Sequence, residues 1–265
     1  MIRRALLAAL VFAGAFVALA FLALPLIAIF ARVPPGRLAA QLSNPLVTNA
    51  LVVSLKTSVI AQALILVFGT PAAYVLASRR FLGRAFLVTL VELPLVVPPA
   101  VAGIGLLAAF GRFGLLHTSV PFTQTAVVLA VAFVASPLYV RQAIVAFEAV
   151  DPNLVAASRT LGAGPVKTFF RVVLPLARGG LAAGEALAFA RGLGEFGATI
   201  MFAGSLPKVT QTLPLAVYAA FDVDFDVALA IGALLVLVSL ALLLTLKWLT
   251  SSSTSRFRFA LSTSS

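Results

Sequence analysis

The chain has 265 residues, of which 62% are hydrophobic and 10% charged, and its mean hydropathy is +1.14. A soluble domain averages about half apolar residues and roughly a quarter charged ones, so this excess cannot be buried in one soluble core and predicts a polytopic membrane protein. The absence of cysteine excludes disulfides and thiolate metal sites, and the single histidine, His117, excludes metal clusters built on histidine. The net charge of +11 is typical of a membrane protein with arginines on its cytoplasmic side, and we expect no nucleic-acid partner.

Six apolar stretches reach the roughly 20 residues that a helix needs to cross a bilayer. They are residues 5–30, 46–77, 85–110, 122–147, 176–203 and 227–249. The first could instead be a signal peptide, since Arg3 and Arg4 precede it and Ala18-Leu19-Ala20 resembles a cleavage site. Its apolar run continues to Phe30, well beyond a signal core of about 7–15 residues, which favours a retained span.

The basic residues set the expected orientation. With the N-terminus in the cytoplasm, most of the 19 lysines and arginines lie on the inner side. Those expected outside are Arg32, Arg37, Arg112 and Lys208. Positively charged loops are retained in the cytoplasm, so we expect both termini there. Residues 251–265 are rich in serine and threonine and are expected to form a disordered cytoplasmic tail.

The one long connection, residues 148–177, joins the fourth and fifth spans on the expected cytoplasmic side. Asp151 can cap a helix that begins at Pro152, and Gly162 suits the left-handed position after its last turn. Arg159 lies in the last turn, where the helix dipole favours a cation. A short, stiff helix with small side chains suits docking to a partner, but these features also fit an ordinary amphipathic loop helix.

The same segment matches a motif at fixed spacing. It has Ala156-Ala157-Ser158, three residues, Gly162, nine residues, and then Val172-Val173-Leu174-Pro175. The chain resembles the binding-protein-dependent ABC importer permeases, whose motif is EAA, three residues, glycine, nine residues and I-x-L-P. In that family the segment is the coupling helix, which docks into a groove of a separate ATP-hydrolysing subunit. The family's glutamate is Ala156 here, which puts any contact of that carboxylate in doubt but not docking by shape. The residues that the resemblance assigns to coupling are Ala156, Ala157, Ser158, Arg159, Leu161, Gly162, Leu174 and Pro175.

A second stretch, residues 187–218, narrows the resemblance. It contains the run Gly194-Glu195-Phe196-Gly197-Ala198 and is similar to the molybdate/tungstate branch of the family. Sulfate permeases tend to carry GEYGS where this chain has GEFGA, so a sulfate or thiosulfate importer is the alternative within the class. Further matches are residues 54–56, 92–99 and 136–141, and the resemblance covers about residues 49–218.

The resemblance implies an all-α fold of six transmembrane helices, the type I ABC importer permease fold, in a prokaryotic inner membrane. Its core would be residues 46–250, preceded by an N-terminal helix and outer loop at 1–45. The implied partners are a second copy of the chain, two ATPase subunits that bind ATP and Mg, an extracytoplasmic oxyanion-binding protein and membrane lipid. Transport would proceed by alternating access, with no cofactor in this chain.

The fifth span carries two charges. Arg191, Glu195 and Thr199 follow at steps of four, so they share one face of a continuous helix, and the first two can form an ion pair. Such a pair fits either a pore lining or a structural role. Lys56 could attract an oxyanion or extend to the outer interface. The candidate translocation path is Lys56, Arg191, Glu195 and Thr199. Gly180 and Gly184 have the spacing of a helix-packing site.

Missing motifs narrow the function further. The sequence has no G-x-x-x-x-G-K-[ST], so the chain has no P-loop and an importer built on it must use ATP hydrolysis by another subunit. It also lacks G-x-S-x-G and H-E-x-x-H, and its acids do not form an evident catalytic set. We therefore predict a transport subunit rather than an enzyme. The alternatives from other classes are an ATPase-independent channel and an intramembrane enzyme acting on lipids.

Overall fold

The computed structural model describes residues 2–262, and every regular element among them is helical, as predicted. The α-helices are α1 (Ile2–Arg32), α2 (Pro35–Leu42), α3 (Pro45–Leu64), α4 (Thr70–Ser78), α5 (Arg84–Val96), α6 (Pro99–Phe110), α7 (Gln124–Glu148), α8 (Pro152–Thr160), α9 (Pro165–Thr168), α10 (Leu174–Leu193), α11 (Gly197–Ala203), α12 (Leu213–Phe221) and α13 (Phe225–Ser262). Two π-helical turns join neighbouring helices into longer units, Ile65–Gly69 between α3 and α4 and Phe169–Val173 between α9 and α10.

The candidate spans agree in number with the sequence. Within the described residues, five helical units are long and apolar enough to cross a membrane, and a bent helix pair makes a sixth if it is one span. The five units are Ala9–Arg32, Pro45–Ser78, Gln124–Glu148, Pro165–Leu193 and Phe225–Thr245. The chain is thus a multi-span helical protein, as its composition requires.

The predicted third span, 85–110, is not one straight helix. It consists of α5 and α6, which meet at an angle of 114°. Val97 is extended, with ψ of 129°, and Pro98 and Pro99 follow it. Proline has no N–H for the helical hydrogen bond and disfavours helical geometry in the residue before it, so two successive prolines end α5 and start α6.

The predicted fifth span, 176–203, is wrong at both ends. The observed helical unit begins at Pro165 and ends at Leu193, and a break at Gly194 separates it from α11. Phe196, with φ of −125° and ψ of −53°, also departs from helical geometry. The apolar composition continues across this break, which is why hydropathy alone extends the span too far.

The last helix extends beyond its apolar part. The last helix, α13, continues to Ser262, so the backbone is helical over most of the segment for which a disordered tail is predicted. Adding a residue to an existing helix requires much less ordering than starting a new one, so the turn pattern can continue past the apolar part. Residues 263–265 lie outside the described residues.

The core is centred on α7, which packs against α10, α3, α4 and α11. Small side chains allow the close approach, since Ala135 and Ala143 on α7 are fully buried. The predicted packing site on α10 is confirmed: a β-carbon at Gly180 would lie 2.5 Å from Cβ of Ala146, and one at Gly184 would lie 2.9 Å from Cβ of Gln142. A second cluster joins α3, α12 and α13.

Candidate functional site

The helix α8 is defined by hydrogen bonds at both of its ends. The Asp151 side chain accepts a hydrogen bond of 2.8 Å from the backbone N–H of Asn153, and Pro152 occupies the first turn. At the other end Gly162 adopts φ of +82°, the left-handed region that favours glycine. The N–H of Gly162 bonds the carbonyl of Arg159, and the N–H of Ala163 bonds that of Ser158. These two bonds form a Schellman motif, so the predicted start and stop of the helix are confirmed.

Although its ends are fixed, α8 buries none of its residues within this chain. A hydrogen bond of 3.1 Å between the hydroxyls of Ser158 and Thr168 connects it to α9. Leu154 is 47% exposed, and Leu161, just after the helix, is 88% exposed. A rigid helix that presents apolar side chains to solvent is suited to being covered by another protein.

The residues predicted for coupling fall into two groups. Those on α8 and its C-terminal turn are Ala156, Ala157, Ser158, Arg159, Leu161 and Gly162, and all but the half-buried Ser158 are exposed. Leu174 and Pro175 lie instead in the first turn of α10, where Leu174 packs against the central hydrophobic cluster. The structure therefore places the first group on a free surface and the second at the base of a span.

An ion pair with one buried partner lies at the break between α10 and α11. Arg191 Nη1 is 2.7 Å from Glu195 Oε2, and the Glu195 side chain is 1% exposed whereas that of Arg191 is 35% exposed. The other carboxylate oxygen of Glu195 accepts a hydrogen bond of 2.8 Å from the backbone N–H of Ala198. Glu195 thus caps the start of α11 and orients Arg191 at the same time.

The predicted common face of Arg191, Glu195 and Thr199 does not exist, because the helix breaks between the first two residues. Thr199 lies on α11, is fully buried, and its hydroxyl has no hydrogen-bond partner among the described residues. Lys56 lies on α3, where its Nζ donates a hydrogen bond of 2.9 Å to Gln124 Oε1 at the start of α7. Of the four candidate path residues, the structure shows a contact between Arg191 and Glu195.

A buried polar stripe on α3 was missed by the sequence interpretation. Ser54, Ser58 and Gln62 follow at steps of four and are all buried. Ser54 Oγ accepts a hydrogen bond of 2.7 Å from the N–H of Leu213, which ties α3 to α12. Neither amide atom of Gln62 has a hydrogen-bond partner within the described chain. The i, i+4 spacing of these polar residues within an apolar span is the signal that could have identified them.

Aromatic contacts connect the α8 region to the spans. Phe169, in the π-helical turn, lies 4.7 Å from Tyr74 of α4 between ring centroids, and Tyr74 lies 5.4 Å from Phe147 of α7. Phe169 follows Thr168, the hydrogen-bond partner of Ser158 on α8. These contacts therefore connect α8 to α4 and α7 through α9 and the π-helical turn, and π-helical turns are frequent at functional positions.

Comparison with known proteins adds close relatives. The chain is 42% identical over 232 residues to the molybdenum transport system permease protein ModB of Mycobacterium tuberculosis. The aligned region covers 85% of this chain and 88% of that protein. It is 43% identical over 178 residues to the protein of the same name from Escherichia coli K12, covering 64% of this chain and 78% of that protein.

A solved structure shows the same fold at lower sequence similarity. The crystal structure of a bacterial ABC transporter involved in the import of the acidic polysaccharide alginate superimposes with a TM-score of 0.68 at 16% identity. The superposition covers 94% of this chain and 96% of that one. Residues 65–258 also match the family described as the binding-protein-dependent transport system inner membrane component. This chain therefore belongs to the family of binding-protein-dependent transport system inner membrane components.

Proposed function

We propose that this chain is the membrane-spanning permease subunit of an ATP-driven importer for molybdate or tungstate. The observation that carries the substrate is the 42% identity over 85% of the chain to a molybdenum transport permease. The chain is not itself an ATPase, since its sequence contains no P-loop. Binding-protein-dependent transport requires a separate ATPase and a binding protein as partners.

In this proposal two copies of the chain work with two ATPase subunits, which bind ATP and Mg. An extracytoplasmic binding protein delivers the oxyanion. Both termini lie in the cytoplasm, which puts α8 on the side of the ATPase, in agreement with the excess of basic residues on that side. The exposed Leu154 and Leu161 and the rigid caps of α8 support its role as the docking element.

The proposed cycle is alternating access. Closure of the ATPase dimer on ATP pulls on both α8 helices, and the contacts of Ser158 and Phe169 transmit this movement to the spans. The path then opens outward, receives the oxyanion and reopens inward after hydrolysis. The permease should bind its anion weakly, because a deep energy well would trap the substrate in the path.

Within the path, we assign Arg191 as the cation that contacts the anion and Glu195 as the residue that orients Arg191. Arg191 is one-third exposed in the single chain, whereas Glu195 is almost fully buried, so the guanidinium is the group available to a passing anion. Lys56, exposed next to Gln124, would attract anions at the outer mouth. Thr199, with its buried and unbonded hydroxyl, would contribute when the break at Gly194 moves.

The test is deletion of the gene followed by measurement of cell-associated molybdenum and tungsten by mass spectrometry at trace supply. Sulfate uptake is the control, and a plasmid copy of the gene should restore the wild-type values. We expect molybdenum or tungsten to fall at least tenfold with normal sulfate uptake. Loss of sulfate uptake alone would overturn the substrate but keep the class. If no uptake changes and no ATPase co-purifies with the chain in mild detergent, the transport role is refuted.

A further inference from the structure

The helix α8 does not pack flat against the spans. A cavity of about 720 Å³, named here the α8 cavity, lies between α8 and the ends of α4, α5 and α7. Its charged and polar lining residues are Ser78, Arg80, Arg84, Glu148 and Arg159. The cavity therefore lies between the proposed docking element and the bundle that it moves, a position where a bound ligand would affect both.

The charges around the α8 cavity do not cancel. Arg84 is already engaged: its Nε donates a hydrogen bond of 2.6 Å to the Leu76 carbonyl and its Nη2 lies 2.5 Å from Glu148 Oε1. Arg80 and Arg159 are both exposed, and neither has an ion-pair partner in the part of the chain that the structure describes. Two guanidinium groups from different elements thus border one cavity without a counter-charge from this chain.

The α8 cavity also has apolar lining residues. Tyr74, Phe147, Val155 and Val173 are among them. The rings of Tyr74 and Phe147 are in edge-on contact there. With α8 on the cytoplasmic side, as proposed, the cavity lies at the cytoplasmic ends of α4 and α7. A cavity that combines unpaired guanidinium groups with apolar lining residues fits an anion, including an anion attached to an acyl chain.

We propose that the α8 cavity is an oxyanion site distinct from the translocation path, in which Arg80 and Arg159 bind one tetrahedral oxyanion. A guanidinium can donate two parallel N–H bonds to a phosphate-like group, so two guanidinium groups suffice to hold it. The oxyanion comes either from the phosphate of an anionic phospholipid or from free anion in the cytoplasm. Because Arg159 lies on α8 and Arg80 follows α4, the bound anion links the docking helix to the spans and regulates coupling.

This inference rests on the proposed function for the orientation and docking role of α8, but it does not depend on which anion is imported. The experiment uses the purified permease–ATPase complex in two kinds of lipid nanodisc. In phosphatidylcholine nanodiscs, binding of radiolabelled inorganic phosphate and of molybdate is measured by equilibrium dialysis. In nanodiscs with phosphatidylglycerol, native mass spectrometry counts the phosphatidylglycerol molecules retained on the complex.

The test variant is Arg80→Gln with Arg159→Gln, and the matched control is Arg79→Gln with Arg171→Gln. Both pairs remove two exposed arginines near the same end of the molecule, but Arg79 and Arg171 are not among the residues lining the cavity. We expect at least tenfold weaker anion binding in the test variant and less than twofold change in the control. Arg80→Gln alone leaves α8 unaltered and should weaken binding at least threefold, even if the double variant fails to assemble.

The two arms identify the source of the oxyanion. Arginine-dependent retention of phosphatidylglycerol assigns the site to a lipid headgroup, and arginine-dependent binding of phosphate or molybdate assigns it to a free anion. Equal binding by the test and control variants in both arms would overturn the proposal. These binding measurements do not use uptake, so their failure is distinguishable from failure of the proposed substrate.

Discussion

The helix α8 and the break between α10 and α11 are both short interruptions of a helical chain, but they are completed in opposite ways. At α8 the backbone is capped by its own neighbours, Asp151 and Gly162, and the side chains are left exposed. At the break, Glu195 is buried and both of its oxygens are used within the chain, by Arg191 and by the N–H of Ala198. The ends of α8 are capped locally and its side chains remain available to a partner, whereas the polar groups at the break are hydrogen-bonded within the chain.

This difference explains which region the sequence could reveal. Caps act within a few residues, so the order Asp-Pro at one end and glycine at the other predicts α8 from the sequence alone. The break depends on contacts with a distant element: a β-carbon at Gly197 would lie 2.7 Å from Cβ of Pro99 on α6. The residues next to Gly194 in sequence do not reveal this contact with α6. The i, i+4 spacing of Arg191 and Glu195 predicted a continuous helix instead.

The largest expected effect comes from separating α11 from α6. A β-carbon at Gly103 would lie 2.6 Å from the Ala198 carbonyl oxygen and 2.9 Å from its Cα, backbone atoms that cannot turn aside. We expect Gly103→Val to destabilise the protein by about 3 kcal/mol or more, the upper part of the overpacking range. Thermal unfolding in detergent measures it. Gly105→Val is the control, since nothing lies within 4 Å of that position on the same helix. Equal melting temperatures for the two variants would contradict the packing described.

The next prediction tests the exposed helix α8. Gly162 has a positive φ and free space around it, so Gly162→Asp strains the turn after α8 without clashing with the spans. We expect uptake to fall at least tenfold while ATP hydrolysis continues, because strain of about 1–2 kcal/mol disturbs the docking helix rather than the core. Gly164→Asp is the control: its φ is −67°, and aspartate is favoured at this position before α9. Normal uptake by Gly162→Asp would remove α8 from the docking role.

The smallest expected effect on uptake tests the break between α10 and α11. Glu195→Ala removes both the ion pair and the α11 cap, and we expect a loss of about 1–3 kcal/mol of stability with reduced uptake. Glu195→Gln retains an oxygen for the Ala198 N–H and should lose less. Glu148→Ala, which breaks the more exposed pair with Arg84, is the control and should cost about 0–1 kcal/mol. If Arg191→Ala and Glu195→Ala both leave uptake and basal ATP hydrolysis unchanged, the pair is neither a gate nor essential to packing.

Much of the fold could be predicted, because apolar runs of about 20 residues leave few structures other than spanning helices. The spacing of Gly180 and Gly184 also predicted a packing site on the fifth span, and the structure shows that its partner is α7. Less of the candidate site could be predicted from the sequence. The resemblance assigns Leu174 and Pro175 to coupling together with the residues of α8, and only the structure shows that these two lie in the first turn of α10. The buried stripe of Ser54, Ser58 and Gln62 was missed because each residue is individually ordinary in a membrane helix.

By itself, then, the sequence determined the membrane class, the helical fold, the number of candidate spans and the position of α8. Each of these depends on composition or on contacts within a few residues, and both can be read from the amino-acid sequence. Only the tertiary structure decided that α5 and α6 meet at 114°, that the fifth span ends at Leu193, and that Glu195 is buried while Arg191 is partly exposed. These features depend on helices distant in sequence, because a break in a membrane helix persists only where other segments supply its missing hydrogen bonds.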